Sequence, residues 1–182
     1  MSSAWRNRGI GLALAAAIYA ADQWIKRLVE GPWGLVQEHQ SIYLLPFFNL
    51  TRTHNHGVSL GLFQATSVET RWALVGVTAL IAAVVFLWLL RERKLGDIFG
   101  LALILGGALG NIRDRYRNGY VLDYADFHLG DFRPFLVFNV ADAAITIGVL
   151  IILARALFMR EKPPAAQDAQ PADPTAETPK HD

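Results

Sequence analysis

Four long apolar stretches divide the amino-acid sequence, at residues 9–29, 72–90, 98–112 and 135–154. The second is the clearest, because its 19 residues contain no charged side chain. At a rise of about 1.5 Å per residue it covers roughly 28 Å, which is close to the thickness of a bilayer's hydrocarbon core. The third stretch is short and rich in glycine, and polar residues interrupt the first and the fourth. The pattern predicts an all-α membrane protein with four transmembrane helices.

The segments between and after these stretches predict a small amount of other structure. Segment 30–71 has β-branched and aromatic residues around glycine and proline, which predicts short extracytoplasmic strands between the first two helices. The tyrosines and phenylalanines of segment 113–134 are typical of an aromatic belt at the membrane interface. Segment 161–182 is acidic and rich in proline and alanine. We therefore expect a four-helix domain at residues 1–160 and a disordered cytoplasmic tail at 161–182.

The distribution of basic residues predicts the orientation of the helices. An even number of spans places both termini on one side of the membrane. Arg91, Arg93 and Lys94 lie in the short turn after the second helix, where basic residues mark the cytoplasmic side. The first stretch is too long for a signal peptide and lacks a small-residue cleavage site, so we expect it to be a retained helix. Both termini are therefore predicted to be cytoplasmic.

The composition narrows the possible chemistry. The chain is 53% hydrophobic and 18% charged, whereas soluble domains are about 25% charged. It contains no cysteine, which excludes disulfides, cysteine nucleophiles and thiolate metal sites. The net charge is only +1, and the chain has no long basic run. Nucleic-acid binding is therefore not expected.

Polar residues inside the first and third predicted helices are candidate functional groups. Asp22 and Lys26 are four residues apart and are expected to pair, either to neutralise each other or to take part in the function. Gly106 and Gly110 form a small-xxx-small pair that permits close contact between helices. The helix ends with polar residues that share one face, namely Asn111, Asp114 and Arg115.

Two acidic residues near the fourth helix suggest a reaction. Asn139 and Asp142 share a face, and Asp142 is expected seven residues into the span, where an ionisable group costs at least about 2.5 kcal/mol. Asp123 and Asp126 lie in the preceding outer segment, where solvated loop residues are the simplest interpretation. Because this segment leads directly into the fourth helix, however, Asp123 and Asp142 can meet at the outer membrane surface.

A close pair of carboxylates has a characteristic reactivity. Such a pair shares one proton, because two like charges a few ångströms apart resist ionising together. One carboxylate then activates a water as general base, and the protonated partner polarises the scissile carbonyl. This is aspartic peptidase chemistry, and it requires neither a metal nor a cofactor.

With these residues aligned, the sequence resembles the lipoprotein signal peptidase (signal peptidase II) family. The resemblance extends over about residues 10–160. Five motifs in chain order carry it: Asp22-Gln-x-x-Lys26, Asn55-x-Gly57-x-Ser-Leu-Gly61-x-Phe63, Gly106-Gly-Ala-x-Gly-Asn111-x-x-Asp114-Arg115, Val121-x-Asp123-Tyr and Phe138-Asn139-Val-Ala-Asp142-x-x-Ile. The chain departs from the usual family pattern at residues 58–60 and 124–125. Both departures lie in loops expected to face the substrate, so they bear on preference more than on chemistry.

The resemblance implies an aspartic endopeptidase of the bacterial inner membrane, with its active site at the periplasmic face. It would cleave diacylglyceryl prolipoproteins just before the lipidated cysteine, and globomycin would inhibit it. We expect a monomer in membrane lipid without metal or cofactor. Asp123 and Asp142 would be catalytic. The supporting residues would be Asp22, Lys26, Asn55, Asn111, Asp114, Arg115 and Asn139. Of these, Asn55, Asn111 and Arg115 would hold the substrate backbone, while Asn139 and the Asp22/Lys26 pair would order the site.

Three other functions have some support in the sequence. Residues 57–61 match the G-x-S-x-G motif around Ser59, but a nucleophile elbow requires a large α/β sheet for which four spans leave no room. His54 and His56 suggest a metal site, although no H-E-x-x-H motif accompanies them. An ion- or proton-coupled transporter would use Asp142, Asp22 and Lys26 as a relay. Such a relay is expected near the membrane midplane, whereas these residues lie toward one end of the predicted helices.

Overall fold

The computed structural model describes residues 3–57, 67–130 and 132–158. Within these residues the elements follow the order α1, β1, β2, α2, α3, β3, α4. Their bounds are α1 Ser3–Glu30, β1 Ser41–Leu45, β2 Phe48–Asn55, α2 Val68–Arg91, α3 Leu95–Asn118, β3 Val121–Phe127 and α4 Val140–Phe158. Ser59 and the predicted tail at 161–182 lie outside the described residues.

Helix α3 is the centre of the helical bundle and packs against α1, α2 and α4. Glycines on α3 allow this packing, as the spacing of Gly106 and Gly110 predicts. A Cβ atom at Gly106 would collide with the backbone of Ala15 in α1, and one at Gly110 would collide with the carboxylate of Asp22. Gly107 faces the backbone of Ala141 in α4 in the same way. Because α3 has glycine at these positions, its backbone packs directly against α1 and α4.

Three of the described helices, α2, α3 and α4, are long and apolar enough to cross a membrane. Helix α2 exposes a broad apolar surface suited to lipid, which includes Val77, Leu80, Ile81, Val84 and Leu87. Helix α1 has 28 residues but is less apolar than these three helices, because it has basic residues at its start and a polar cluster near its end. Asp22, Gln23 and Lys26 of this cluster are all buried within the bundle.

The three strands form one antiparallel sheet in the order β1-β2-β3. Strands in segment 30–71 were expected, and β1 and β2 confirm them. The chain is mostly helical, as expected, but a third strand, β3, comes from the segment between α3 and α4, where an aromatic belt was expected. Six of its seven residues are buried. This strand lies between β2 on one edge and the backbone of Phe138 on the other, so its aromatic residues are not all available for an interfacial belt.

Two helix boundaries differ from the boundaries of the apolar stretches. Helix α3 continues to Asn118 and ends at Gly119, whose φ of 87° is the left-handed conformation that glycine adopts readily. Helix α4 begins only at Val140. Asp142 therefore lies in the first turn of α4, not seven residues into a span as the sequence suggested. The residues from 135 to 139 are not helical, and Phe138 pairs with β3 instead.

Candidate active site

The start of α4 is fixed by a reciprocal cap between Asn139 and Asp142. The backbone N–H of Asp142 donates to Asn139 Oδ1 at 2.9 Å, and the backbone N–H of Asn139 donates to Asp142 Oδ2 at 3.3 Å. This arrangement satisfies N–H groups that have no partner within the helix. It also holds the Asp142 side chain at the positive end of the helix dipole, where a carboxylate is favoured.

Strand β3 carries Asp123, the other predicted catalytic residue. Its side chain is only 2% exposed. Asn139 Nδ2 donates to Asp123 Oδ1 at 2.6 Å, and Asn55 Nδ2 donates to Asp123 Oδ2 at 3.0 Å. Burial in the protein, with a further contribution from the nearby charge of Asp142, raises the pKa of Asp123 to about 7. Asn139 thus contacts Asp123 through its side chain and Asp142 through its backbone, so the two acidic residues share one hydrogen-bond partner.

Backbone pairing explains why these two distant residues approach each other. The N–H groups of Tyr124 and Ala125 both donate to the Phe138 carbonyl, at 3.1 and 2.8 Å, and Phe138 N–H donates to the Ala125 carbonyl at 3.0 Å. Phe138 directly precedes the Asn139 cap, and Tyr124 directly follows Asp123. The hydrogen bonds thus tie the strand that carries one carboxylate to the helix start that carries the other.

Asn111 of α3 connects Asp142 to the interior of the bundle. Its Nδ2 donates to Asp142 Oδ1 at 2.8 Å. Its Oδ1 accepts from Lys26 Nζ and from Asn139 Nδ2, both at 3.4 Å. The ammonium group of Lys26 can donate only to the oxygen of the Asn111 amide. The amide nitrogen is therefore directed toward the Asp142 carboxylate. In this structure the amide N–H of Asn111 is directed to Asp142, and its expected role in holding the substrate backbone stays a prediction.

A buried charge cluster lies below Asn111. Lys26 Nζ is 2.9 Å from Asp22 Oδ2, which confirms the expected ion pair, and 2.7 Å from Asp114 Oδ2. All three residues are at most 4% exposed. Gln23 completes the cluster with hydrogen bonds to both carboxylates. Gln23 was not singled out from the sequence as a site residue, although it lies between Asp22 and Lys26 in the first motif.

Arg115 contacts the chain's own backbone in this structure. Its Nη2 donates to the carbonyl of Gly57 at 2.7 Å, just beyond the end of β2. The same glycine donates its N–H to Asn55 Oδ1 at 3.1 Å. Arg115 and Asn55 therefore hold Gly57 in place, and Asn55 also contacts Asp123. Their expected role as direct ligands of the substrate backbone stays a prediction.

Asp126 is not the solvated loop residue that the sequence suggested. It is 1% exposed and accepts two hydrogen bonds of 2.6 Å from Arg133 Nη1. Thr51 Oγ1 of β2 also donates to it at 3.0 Å. The ion pair with Arg133 connects β3 to the segment that leads to α4. Asp126 therefore stabilises the contact between the strand that carries Asp123 and the segment before Asp142.

The two histidines of the metal hypothesis form an aromatic cluster. The ring of His54 stacks on Tyr120 with a centroid distance of 3.9 Å, and His56 approaches the same tyrosine at 5.6 Å. Partial burial lowers the pKa of His54. Among residues 3–57, 67–130 and 132–158, no group of three or more His, Asp or Glu side chains is arranged to hold a metal ion. The buried polar residues instead converge where the C-terminal half of α3 meets the start of α4.

Two acidic side chains that share Asn139 as a partner lie at one end of an apolar helical bundle, an arrangement that fits a membrane-bound aspartic peptidase. Comparisons with known proteins agree. The family model described as signal peptidase (SPase) II matches residues 14–158, and the chain belongs to this family. A lipoprotein signal peptidase from Sphingopyxis alaskensis is 54% identical over 89% of this chain and 92% of its own length. Another from Rhizorhabdus wittichii is 52% identical over 85% of this chain and 90% of its own length.

A solved structure of a bacterial membrane enzyme also has a similar fold. It matches with a TM-score of 0.71 and 25% identity, covering 85% of this chain and 94% of that chain. The similarity therefore includes the overall fold as well as the sequence.

Proposed function

We propose that this protein removes the signal peptide from diacylglyceryl-modified prolipoproteins, cleaving just before the lipidated cysteine with Asp123, Asp142 and one water. The observation that carries the proposal is the convergence of three asparagine amides, from Asn55, Asn111 and Asn139, on the two carboxylates. Oriented amide donors of this kind fix carboxylates without neutralising them. The names of the relatives, lipoprotein signal peptidases, supply the class of substrate.

The environments of the two carboxylates suggest different roles. Asp123 is the more buried, and its pKa of about 7 allows it to hold the shared proton near neutral pH. Asp142 is partly exposed, lies at a helix N-terminus and accepts hydrogen bonds from an amide and a backbone N–H. These donors fix the orientation of its carboxyl group, and its partial exposure lets a water reach it. Asp142 is therefore the general base and Asp123 the general acid.

The reaction follows from these roles. Asp142 takes a proton from water as the water oxygen attacks the scissile carbonyl carbon, and Asp123 gives its proton to the carbonyl oxygen. The tetrahedral diol then collapses. Its C–N bond breaks as the leaving amine takes the proton from Asp142, and the new carboxyl group returns a proton to Asp123. Both aspartates end in their starting states, so neither a metal nor a cofactor is needed.

The remaining polar residues would position the pair and the substrate. Asn139 and Asn111 orient the two carboxylates, and Lys26 with Asp22 and Asp114 orders the bundle beneath them. Arg115 and Asn55 hold Gly57 just after β2, and they would also align the substrate backbone. Each of these roles follows the contacts that the side chains make in the free enzyme.

We further propose four membrane spans, with α1 as the fourth. Its polar residues bond to α3 and to the start of α4, so they do not face lipid. The basic turn after α2 is then cytoplasmic, both termini are cytoplasmic, and the aspartate pair lies at the periplasmic face of the inner membrane. This places the catalytic residues at the boundary where the lipidated cysteine of a membrane-anchored substrate resides. The enzyme would act as a monomer among membrane lipids, and a globomycin-type cyclic peptide would inhibit it.

The decisive experiment compares a purified diacylglyceryl prolipoprotein with its unlipidated form. Wild-type enzyme is expected to cleave only the lipidated substrate, directly before the modified cysteine, as mass spectrometry of both products would show. Asp142→Asn enzyme is expected to cleave neither. Equal cleavage of the unlipidated form would contradict the proposed substrate class, and loss of activity with EDTA that zinc restores would favour a metal enzyme instead.

A further inference from the structure

The first turn of α4 is held by a carboxylate from another helix. The backbone N–H of Ala141 donates to Asp22 Oδ1 at 3.2 Å, and both residues are 0% exposed. This N–H belongs to the first turn and has no acceptor within its own helix. Asp22 therefore caps α4 from α1. Because Ala141 directly precedes Asp142, the Asp22 carboxylate helps to fix the position of the proposed general base, together with the Asn139 cap.

Asp22 is itself held by two donors on its other oxygen. Lys26 Nζ lies 2.9 Å from Oδ2, and Gln23 Nε2 donates to the same atom at 3.0 Å. Gln23 Nε2 also donates to Asp114 Oδ1 at 2.9 Å. Lys26 is the one cation within ion-pair distance of Asp22 and Asp114 in the described part of the chain. The single ammonium group of Lys26 pairs with both Asp22 and Asp114, and the amide of Gln23 donates additional hydrogen bonds to the same two carboxylates.

The orientation of the Gln23 amide is fixed from its other end. Its Oε1 accepts a hydrogen bond from the guanidinium of Arg113, which leaves Nε2 directed at the carboxylates. The donor also polarises the amide and strengthens the N–H groups opposite. Gln23 is 6% exposed, so water does not readily replace it. A glutamine at this position therefore has a geometry that neither an apolar residue nor a carboxylate reproduces.

We propose that Gln23 is a positioning residue for catalysis, which acts on Asp142 through the Asp22 cap of α4. The inference rests on the proposed role of Asp142 as general base. Gln23 is not among the hydrogen-bond partners of Asp123 or Asp142 in the described structure. Its loss is therefore expected to affect the chemical step and not substrate binding. A displacement of about 1 Å in a reacting group can cost about a hundredfold in rate.

The test begins with Gln23→Met, which keeps the length of the side chain and removes its donors. We expect kcat to fall by about a hundredfold while KM changes by less than about twofold. A second variant, Gln23→Glu, replaces the amide by a carboxylate. Its control is Gln37→Glu, the same substitution at an exposed glutamine before the sheet, which is expected to retain wild-type kcat. All variants are compared in the same membrane mimic at a temperature well below their unfolding transitions.

A donor–acceptor exchange separates positioning from a general loss of stability. Gln23→Glu alone places a third carboxylate in the cluster and is expected to be nearly inactive. Adding Asp114→Asn restores the net charge and lets the new amide donate to Glu at position 23, so the double variant is expected to recover at least about tenfold in kcat.

The outcomes are distinct. Wild-type kcat in Gln23→Met, or a loss confined to KM, would overturn the inference. If that variant does not fold, the exchange decides: recovery of kcat supports positioning, and no recovery contradicts it. Asp142→Asn is assayed in parallel, since an active Asp142→Asn enzyme would refute the proposed function itself, whatever the Gln23 variants do.

Discussion

Asn139 and Asp142 cap each other across the first turn of α4, and the same Asn139 side chain donates to Asp123. One asparagine thus connects the backbone around one carboxylate with the side chain of the other. The caps stabilise the helix start, and they also hold the two acids in a fixed relation. The residues that shape the fold at this point are therefore the same residues that shape the site.

Replacing either acid by its amide is expected to abolish cleavage without unfolding the protein. Asp123→Asn and Asp142→Asn keep nearly the same volume but remove the ability to hold and release a proton. We expect less than about 1% of wild-type kcat, since general acid–base catalysis alone contributes 10²–10⁴-fold. Cleavage of a lipidated substrate and thermal unfolding should be measured on the same preparations.

Asp97→Asn is the matched control for these variants. Asp97 pairs with Arg155 at the opposite end of α3, far along the helix from Asn111. Its amide variant is expected to retain most of the activity. Turnover above a few per cent in both site variants would show that the two carboxylates do not perform the chemistry.

The activity is expected to fall as the pH rises through about 7. Burial and the charge of Asp142 raise the pKa of Asp123 to about 7. Below this value the pair shares one proton, and above it both groups become ionised, so the general acid is lost. A profile of kcat/KM against pH should therefore show an alkaline limb near pH 7.

A histidine is the usual group that titrates in this range, and His54 lies on the neighbouring strand. His54→Gln is the control for this alternative, and its profile is expected to keep the limb unchanged. A profile that stays flat well above pH 7, or a limb that disappears in His54→Gln, would contradict the assignment to Asp123.

Asp142 could be singled out from the sequence because a carboxylate next to a membrane span is unusual, whereas Asp123 was singled out by its place before α4 and by the family motif. A carboxylate such as Asp142 beside an apolar run is costly unless it is paired or functional. The spacing of Asp22 and Lys26 also indicated an ion pair, which the structure contains. Local spacing and the cost of burial were sufficient for these features.

Other features depend on contacts between distant segments, which spacing does not encode. The sequence of β3 looked like an aromatic interfacial loop, because its pairing partners, β2 and Phe138, are remote in the chain. Asp126 was taken for a solvated residue because nothing local reveals its pair with Arg133. Gln23 was overlooked for the same reason, since its significance lies in reaching Asp114 on α3.

Lys26 is expected to be essential for stability. It is 4% exposed and lies between Asp22 and Asp114. Lys26→Met leaves two buried carboxylates without a cation, a change that typically costs about 3–5 kcal/mol. Thermal unfolding in a mild detergent should show a large decrease in the transition temperature.

Arg27→Met is the matched control, because it removes a neighbouring basic residue that is exposed. Its effect on stability is expected to be within about 0.5 kcal/mol. Similar transition temperatures for the two variants would show that the fold does not depend on the pairing of Lys26 with Asp22 and Asp114.

The close contact of Gly107 in α3 with Ala141 in α4 is expected to be important for activity. Gly107→Ala adds a Cβ where the carbonyl of Ala141 and the side chain of Ile145 already lie. The backbone of α4 must shift to accommodate it, and overpacking of this kind costs about 1–3 kcal/mol. Because Ala141 directly precedes Asp142, the shift also displaces the proposed general base, so kcat should fall by at least about tenfold.

Gly76→Ala on α2 provides the comparison, since a Cβ there has no atom within 4 Å. It is expected to match the wild type in turnover, and equal activity of the two alanine variants would show that the site tolerates movement of α4.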